Sequence, residues 1–287
     1  MLGKKEPLNF NSPITVNMGN RISCRLYSDT RPHCLEISQL QKGLVLMIDD
    51  KEVIEEGVGF GVPIALYKDE PYFSSSAECA VQNEGKTKTL IKSFVMDTVS
   101  RKRFGKTICV NDGLYTLLHK GFHRVYVVKS LLTPFFNKLI ELTKLLGMNT
   151  EFVKVKPRGV VTIKYAFHPD SIDVEASLSQ LDKNGCKEVV VLNEQGASFF
   201  RKYSDSNGLI LMDGQVGAWA NVNADEASFA NLEETISFSL SKVSNAIFLR
   251  GREKIRNRYS WVGLGYSLPP HLSMLRYVIK LKTCIGR

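Results

Sequence analysis

The chain has no Cys-x-x-Cys pair. Its six cysteines stand apart at positions 24, 34, 79, 109, 186 and 284, which excludes zinc ribbons and thioredoxin-type motifs. No apolar run approaches the roughly 18 residues of a membrane-crossing helix. The stretch Met1–Phe10 lacks the apolar centre of a signal peptide. These absences lead us to expect a cytoplasmic protein with no membrane insertion and all six thiols reduced. Nucleophile elbows of the Gly-x-Ser-x-Gly kind are missing too. The run Gly57-Val58-Gly59-Phe60-Gly61 is followed by Pro63 and Ile64, not by the Lys-Ser/Thr of a phosphate loop. Such glycines inside β-structure mark a bulge or a close backbone approach. His119 and His123 are four apart, but Lys120 stands where a zincin has its glutamate. Asn221, Asn223, Asp225 and Glu226 lack the glycine and the final bidentate glutamate of a calcium loop and read as a polar turn. These spacings call for no metal and no cofactor. No catalytic residue is assigned and enzymatic activity is left open, because carboxylate pairs meet in space and not in sequence.

What is present is the material of a large β-structure. Of the 287 residues, 44% are hydrophobic and 23% charged, close to an average soluble globular chain. No Pro/Gly/Ser-rich linker divides the chain, and no fixed-period repeat points to a propeller. One domain over 1–287 is therefore expected. Short segments of period-two alternation recur between turn residues, which is the strand signature. In Ile172 to Leu178 the residues Ile172, Val174, Ala176 and Leu178 share one face. His168-Pro169-Asp170-Ser171 turns the chain into that strand from Val160 to Phe167. One helix is expected over 134–146, capped by Thr133, opened by Pro134 and closed by Gly147. The fold class is all-β or β-rich α+β, as a large, mostly antiparallel β-sandwich with that one principal helix.

Charge is unevenly spread. The formal net charge is +9. The segment Lys242 to Arg287 holds ten bases and one acid, Glu253, while the rest of the chain is balanced. Within it Arg250, Arg252, Lys254, Arg256 and Arg258 alternate strictly. On one extended strand these five would project from a single face at intervals of roughly 6.5–7 Å. They are the anion-binding candidates, since Arg offers planar, bidentate donors to carboxylate, phosphate or sulfate. Two other arrangements fit the same residues. The acidic stretch 213–241, with five acids and no base, could neutralise them internally, or a turn at Gly251 could break the register. Tyr259, Trp261 and Tyr266 are the aromatic ligand-contact candidates. Tyr259 and Trp261 would lie on the face opposite the basic one in a regular strand.

The strand pair Val161–Phe167 and Ile172–Leu178, with the segments Val216–Trp219 and Tyr259–Trp261, resembles the β-supersandwich of galactose-mutarotase-like and polysaccharide-lyase-associated carbohydrate-binding domains. The resemblance implies carbohydrate binding or processing on a concave sheet face. It carries over no catalytic residue, because the family's His and Glu motifs are not found here. Three functions follow from the sequence: a carbohydrate-binding or carbohydrate-processing β-sandwich; a protein that binds nucleic acid or another acidic polymer through the basic C-terminal strands; and a non-enzymatic interaction module.

Overall fold

The structure is a computed structural model that describes residues 6–7, 13–19, 21–28, 40–68, 70–84, 87–104, 107–108, 148–212, 215–255 and 258–283. The helix expected over 134–146 lies outside these residues, as do His119, His123, Cys34, Cys109 and Cys284. The described strands are, first, β1 (Glu6–Pro7), β2 (Ile14–Asn17), β3 (Ile22–Leu26), β4 (Val45–Ile48) and β5 (Lys51–Glu52). Next come β6 (Gly59–Tyr67), β7 (Glu70–Glu84), β8 (Thr87–Phe104), β9 (Thr107–Ile108) and β10 (Met148–Lys154). Then follow β11 (Gly159–Phe167), β12 (Ser171–Leu181), β13 (Cys186–Gly196), β14 (Lys202–Asp205) and β15 (Ile210–Met212). The last are β16 (Ala220–Asn221), β17 (Glu226–Ala230), β18 (Ile236–Ser241), β19 (Ile247–Ile255), β20 (Arg258–Leu268) and β21 (Met274–Thr283). Over the described residues the fold is all-β and antiparallel, as the alternation indicated. Among the described residues no helix is long and apolar enough to cross a membrane.

The chain forms two compact units, one of residues 1–97 and 156–287 and one of residues 98–155. In the smaller unit the distal part of β8 pairs with β10, from Met148 opposite Phe104 to Lys154 opposite Thr98, and with β9.

The larger unit is a sandwich of two antiparallel ladders. One runs β8–β11–β12–β21–β18–β17–β14–β15. The other runs β7–β6–β13–β20–β19–β16. Their inner faces meet in an aromatic core. Phe60 of the second ladder lies edge-on to Phe238 of the first at 5.4 Å, and Tyr266 packs 5.0 Å from Tyr277. The period-two reading of β12 holds: Ile172, Ala176 and Leu178 are fully buried and Val174 is 2% exposed. Alternate side chains of a strand share a face, so a half-apolar strand turns its apolar set to the core. The turn from β11 closes through His168 N–H donating to the Ser171 carbonyl at 2.9 Å. A small sheet, β2–β3–β4–β5, completes the unit, and its β4–β5 hairpin turns on Asp49 and Asp50, at φ 49° and 62°. Two successive positive φ values make a type I′ turn, whose twist suits a hairpin.

The glycine run behaves as bulge glycine. The β6–β13 register shifts between Leu192 and Asn193, and Gly61 takes φ 75° at that point. The Gly61 N–H donates to Asn193 Oδ1 at 3.0 Å, and Tyr277 OH donates to the same oxygen at 2.8 Å. A β-carbon at Gly61 would meet the Tyr165 hydroxyl at 2.7 Å, so glycine is required twice over.

Candidate functional site

The site grows out of an unusual row on the outer face of the second ladder. In β20 the inward residues Val262, Leu264 and Tyr266 are fully buried. The alternate positions Gly263 and Gly265 therefore face outward, and register places Gly251 of β19 opposite Gly263. Three glycines on one face of two central strands leave a trough with no side chains. The Trp219 indole fills it. A β-carbon at Gly251 would meet Trp219 Cδ2 at 2.7 Å, one at Gly263 would meet its Cη2 at 3.1 Å, and one at Gly265 its Cζ3 at 3.6 Å. Glycine here permits close approach of a flat ring to the backbone.

Trp261, also outward-facing, stacks on Trp219 with ring centroids 5.2 Å apart and planes at 26°. Trp261 is buried and Trp219 half-buried. The chain has two tryptophans in all, so its whole indole content is in this stack. Glu194 of β13 borders the trough, pairing with Gly263, and its Cγ lies 2.9 Å from the same β-carbon position. Glu194 is 3% exposed and accepts the Val58 N–H at 3.1 Å. The loop carrying Val58 is anchored by Lys42 Nζ donating to the Gly57 carbonyl at 2.6 Å. Gln215 and Asn221, close to Trp219 in the chain, are exposed polar side chains.

No known protein family matches this chain. No curated protein matches it in sequence. A solved structure described as a galactose mutarotase-like protein from Lactobacillus casei is similar over 95% of this chain and 100% of its own, at 9% identity and a TM-score of 0.39. The likeness is weak and concerns fold alone, like the resemblance read from the strand rhythm.

The basic stripe is divided. β19 ends at Ile255 and β20 begins at Arg258, so Arg258 belongs to the returning strand, opposite Ile255. The register also shifts between Glu253 and Lys254. Arg250 lies opposite Leu264 and Arg252 opposite Val262, both fully buried core positions. Both side chains therefore leave β19 on its inner face, where Arg252 is buried and Arg250 half-buried. Arg250 donates through NH1 to the Val216 carbonyl at 2.8 Å, and its guanidinium lies 5.0 Å over the Tyr203 ring. Arg252 is 4% exposed and donates through NH2 to the Ala197 carbonyl at 2.9 Å. The side chains of Lys254, Arg258 and Tyr259, and the whole of Arg256, lie outside the described residues. Of the aromatic candidates, Trp261 joins the indole stack on the face opposite Arg250 and Arg252, as alternation implied. Tyr266 is fully buried, stacks on Phe248 at 5.4 Å and donates to the Ser241 carbonyl at 2.6 Å.

Two further clefts involve the first ladder, the second of them shared with the small β2–β5 sheet. One, of about 490 Å³, includes Lys164, Asp173, Glu175 and Arg276 in its lining. Lys164, Glu175 and Arg276 stand directly opposite one another on β11, β12 and β21. Glu175 bridges both bases, at 3.1 Å to Lys164 and 2.8 Å to Arg276. Burial pushes the Glu175 carboxyl up, but its hydrogen bonds to Lys164 and Arg276 prevail and hold it below its ordinary value. The other cleft, of about 540 Å³, includes Arg21, Asp170, Lys280 and Lys282 in its lining. There Arg21 pairs with Asp49 and Lys280 with Glu226. Among the described residues no cluster of His, Cys, Asp or Glu suits a metal ion.

Proposed function

We propose that the protein binds a neutral carbohydrate on the Trp219–Trp261 platform. The observation that carries this reading is the half-buried Trp219 indole, laid flat in a glycine trough and braced by a second indole. An indole face is large, apolar and rigid, and its N–H supplies a polar handle. A sugar ring offers an apolar C–H face and a rim of hydroxyls, which suits such an aromatic surface. Because the platform is already ordered by packing, little side-chain entropy remains to be lost on binding. We assign binding and not catalysis, since Glu194, the carboxylate bordering the trough, is buried and receives the Val58 N–H. A polyanion surface on the same hairpin would rest on Lys254, Arg256 and Arg258, because Arg250 and Arg252 face inward.

The test pairs a glycan array with titration of tryptophan fluorescence, using neutral oligosaccharides found on the array. Both indoles are in the site, so any ligand reaching it shifts or quenches the emission. The expected result is saturable change for a neutral glycan and loss of binding in Trp219→Ala. Failure of every arrayed glycan to bind, or binding that leaves the emission unchanged, overturns the proposal.

A further inference from the structure

We propose that Arg250 is the positioning residue of the indole platform, an inference that rests on the platform's being the binding surface. Residues 216–220 form a short bow along the edge of β19, and Trp219 is its largest side chain. Both ends of the bow are fastened at Arg250. At one end its guanidinium NH1 donates to the Val216 carbonyl at 2.8 Å. At the other its backbone pairs with Ala220 as the register partner of β16. Between them the Arg252 N–H donates to the Gly217 carbonyl at 2.8 Å. Gly217 has φ 72°, and no described residue lies within 4 Å of its β-carbon position, so it is free to turn the chain. The bow then delivers Trp219 over the edge of β19 and onto the outer face, while the Arg250 side chain stays on the inner one.

What holds Arg250 in turn is Tyr203. The guanidinium lies 5.0 Å over its ring, and the Tyr203 hydroxyl donates to Asp205 Oδ2 at 2.9 Å. A planar guanidinium stacks on a ring face and keeps a fixed donor direction at its rim, which a flexible ammonium does not. The line of contacts Asp205–Tyr203–Arg250–Val216 thus runs from the half-buried end of β14, across the buried Tyr203 ring, to the loop that carries the indole. It accounts for an inward-pointing arginine at the start of the basic stripe by a job other than meeting an acidic ligand.

The experiment reads the platform directly. Two stacked indoles give an exciton couplet in circular dichroism, and with two tryptophans in the chain the couplet reports this pair. Arg250→Met, Arg250→Lys and wild type are compared for the couplet, for cooperative thermal unfolding and for affinity toward the glycan identified by array. The expected result for Arg250→Met is loss of most of the couplet and at least about tenfold weaker glycan binding in a protein that still unfolds cooperatively. Arg250→Lys should recover part of both. Should Arg250→Met fail to fold, Arg250→Lys decides: a couplet clearly below wild type supports the inference, and a wild-type couplet overturns it. A folded Arg250→Met with the wild-type couplet also overturns it. The two readings fail separately. A wild type that binds no glycan, combined with a couplet lost in Arg250→Met, ends the carbohydrate reading and leaves Arg250 as the residue that places Trp219.

Discussion

Gly251 and Trp219 occupy one volume between them: the three atoms nearest a β-carbon at Gly251 all belong to the indole, at 2.7, 2.9 and 3.1 Å. At Gly263 the same β-carbon would also strike the Asn193 carbonyl, at 2.9 Å. Gly251 is therefore the position where a single methyl group presses on the indole before it presses on backbone.

The first prediction uses that selectivity. Gly251→Ala should displace Trp219 and cost about 1–3 kcal/mol through overpacking. In a Trp219→Ala background the same change should be close to neutral, because the space is then empty. A double-mutant cycle on unfolding free energy measures the difference as a coupling energy. Additive effects would show that the indole does not occupy the trough in solution.

The second prediction concerns the row Lys164–Glu175–Arg276. The Glu175 carboxyl is held below its ordinary value in the folded protein. A group whose folded value is depressed contributes stability above its unfolded value, about 4.3 for glutamate. That contribution is lost as pH falls through the folded value. Glu175→Gln should thus lower the melting temperature slightly at neutral pH, and the gap from wild type should close under acid conditions. The row is largely solvent-facing, so added salt should shrink the gap as well. A gap that persists at acid pH would mean that the carboxylate charge is not what stabilises the row.

How much of this was legible in the sequence can be judged strand by strand. β12 was, because a strand buried on one face displays its core as every second residue. β19 was legible only in part. Its alternation correctly placed Arg250 and Arg252 on a common face, opposite Trp261. It could not say that this face is the interior, because the outer face is covered too, by a tryptophan from a distant segment. The cue lay in what β19 and β20 lack. Gly251, Gly263 and Gly265 at alternate positions are costly in strand interiors and imply that something flat lies over them. Sequence alone does not say what, since Trp219 reaches the trough through a bow whose path depends on Arg250. Glu194 was hidden for a related reason: it follows the apolar run Val189–Leu192 and borders the trough only through cross-strand register.

The third prediction is about thiols. Cys24 is fully buried, and Cys79 and Cys186 are each 8% exposed. Burial pushes all three thiols above their ordinary range, and only the thiolate is nucleophilic. All three are free. Brief alkylation of the native protein, followed by peptide mapping, should leave these three unmodified, whereas alkylation in denaturant should label them. Rapid native labelling of Cys24 would indicate local opening of the β2–β3 pair.

The last prediction comes from the inner face of β13. Gln195 is fully buried, and among the described residues neither its Oε1 nor its Nε2 has a hydrogen-bond partner. It lies opposite Val262, which in turn lies opposite Arg252, so the three form one row across β13, β20 and β19. A buried amide with no partner loses its hydration and gains nothing in return, and an apolar side chain of similar shape avoids that loss. Gln195→Met keeps the unbranched stem and removes both polar atoms. It should raise stability by about 1 kcal/mol, read as a shift of the denaturant midpoint with unchanged slope. Gln195→Ala should do the reverse, because it leaves a cavity and costs packing. The sign of the Met variant is decisive. A destabilised Gln195→Met would mean that the amide is satisfied in solution, and the nearest explanation would be a bound water in the core. A polar site with room for water needs two to four partners, and Asn193 Nδ2, two residues earlier on the same face, is also buried without a partner among the described residues. Asn193 cannot be tested by the same swap, because its Oδ1 accepts from both Gly61 and Tyr277. Gln195 is therefore the position at which a dry core and a hydrated one give opposite results.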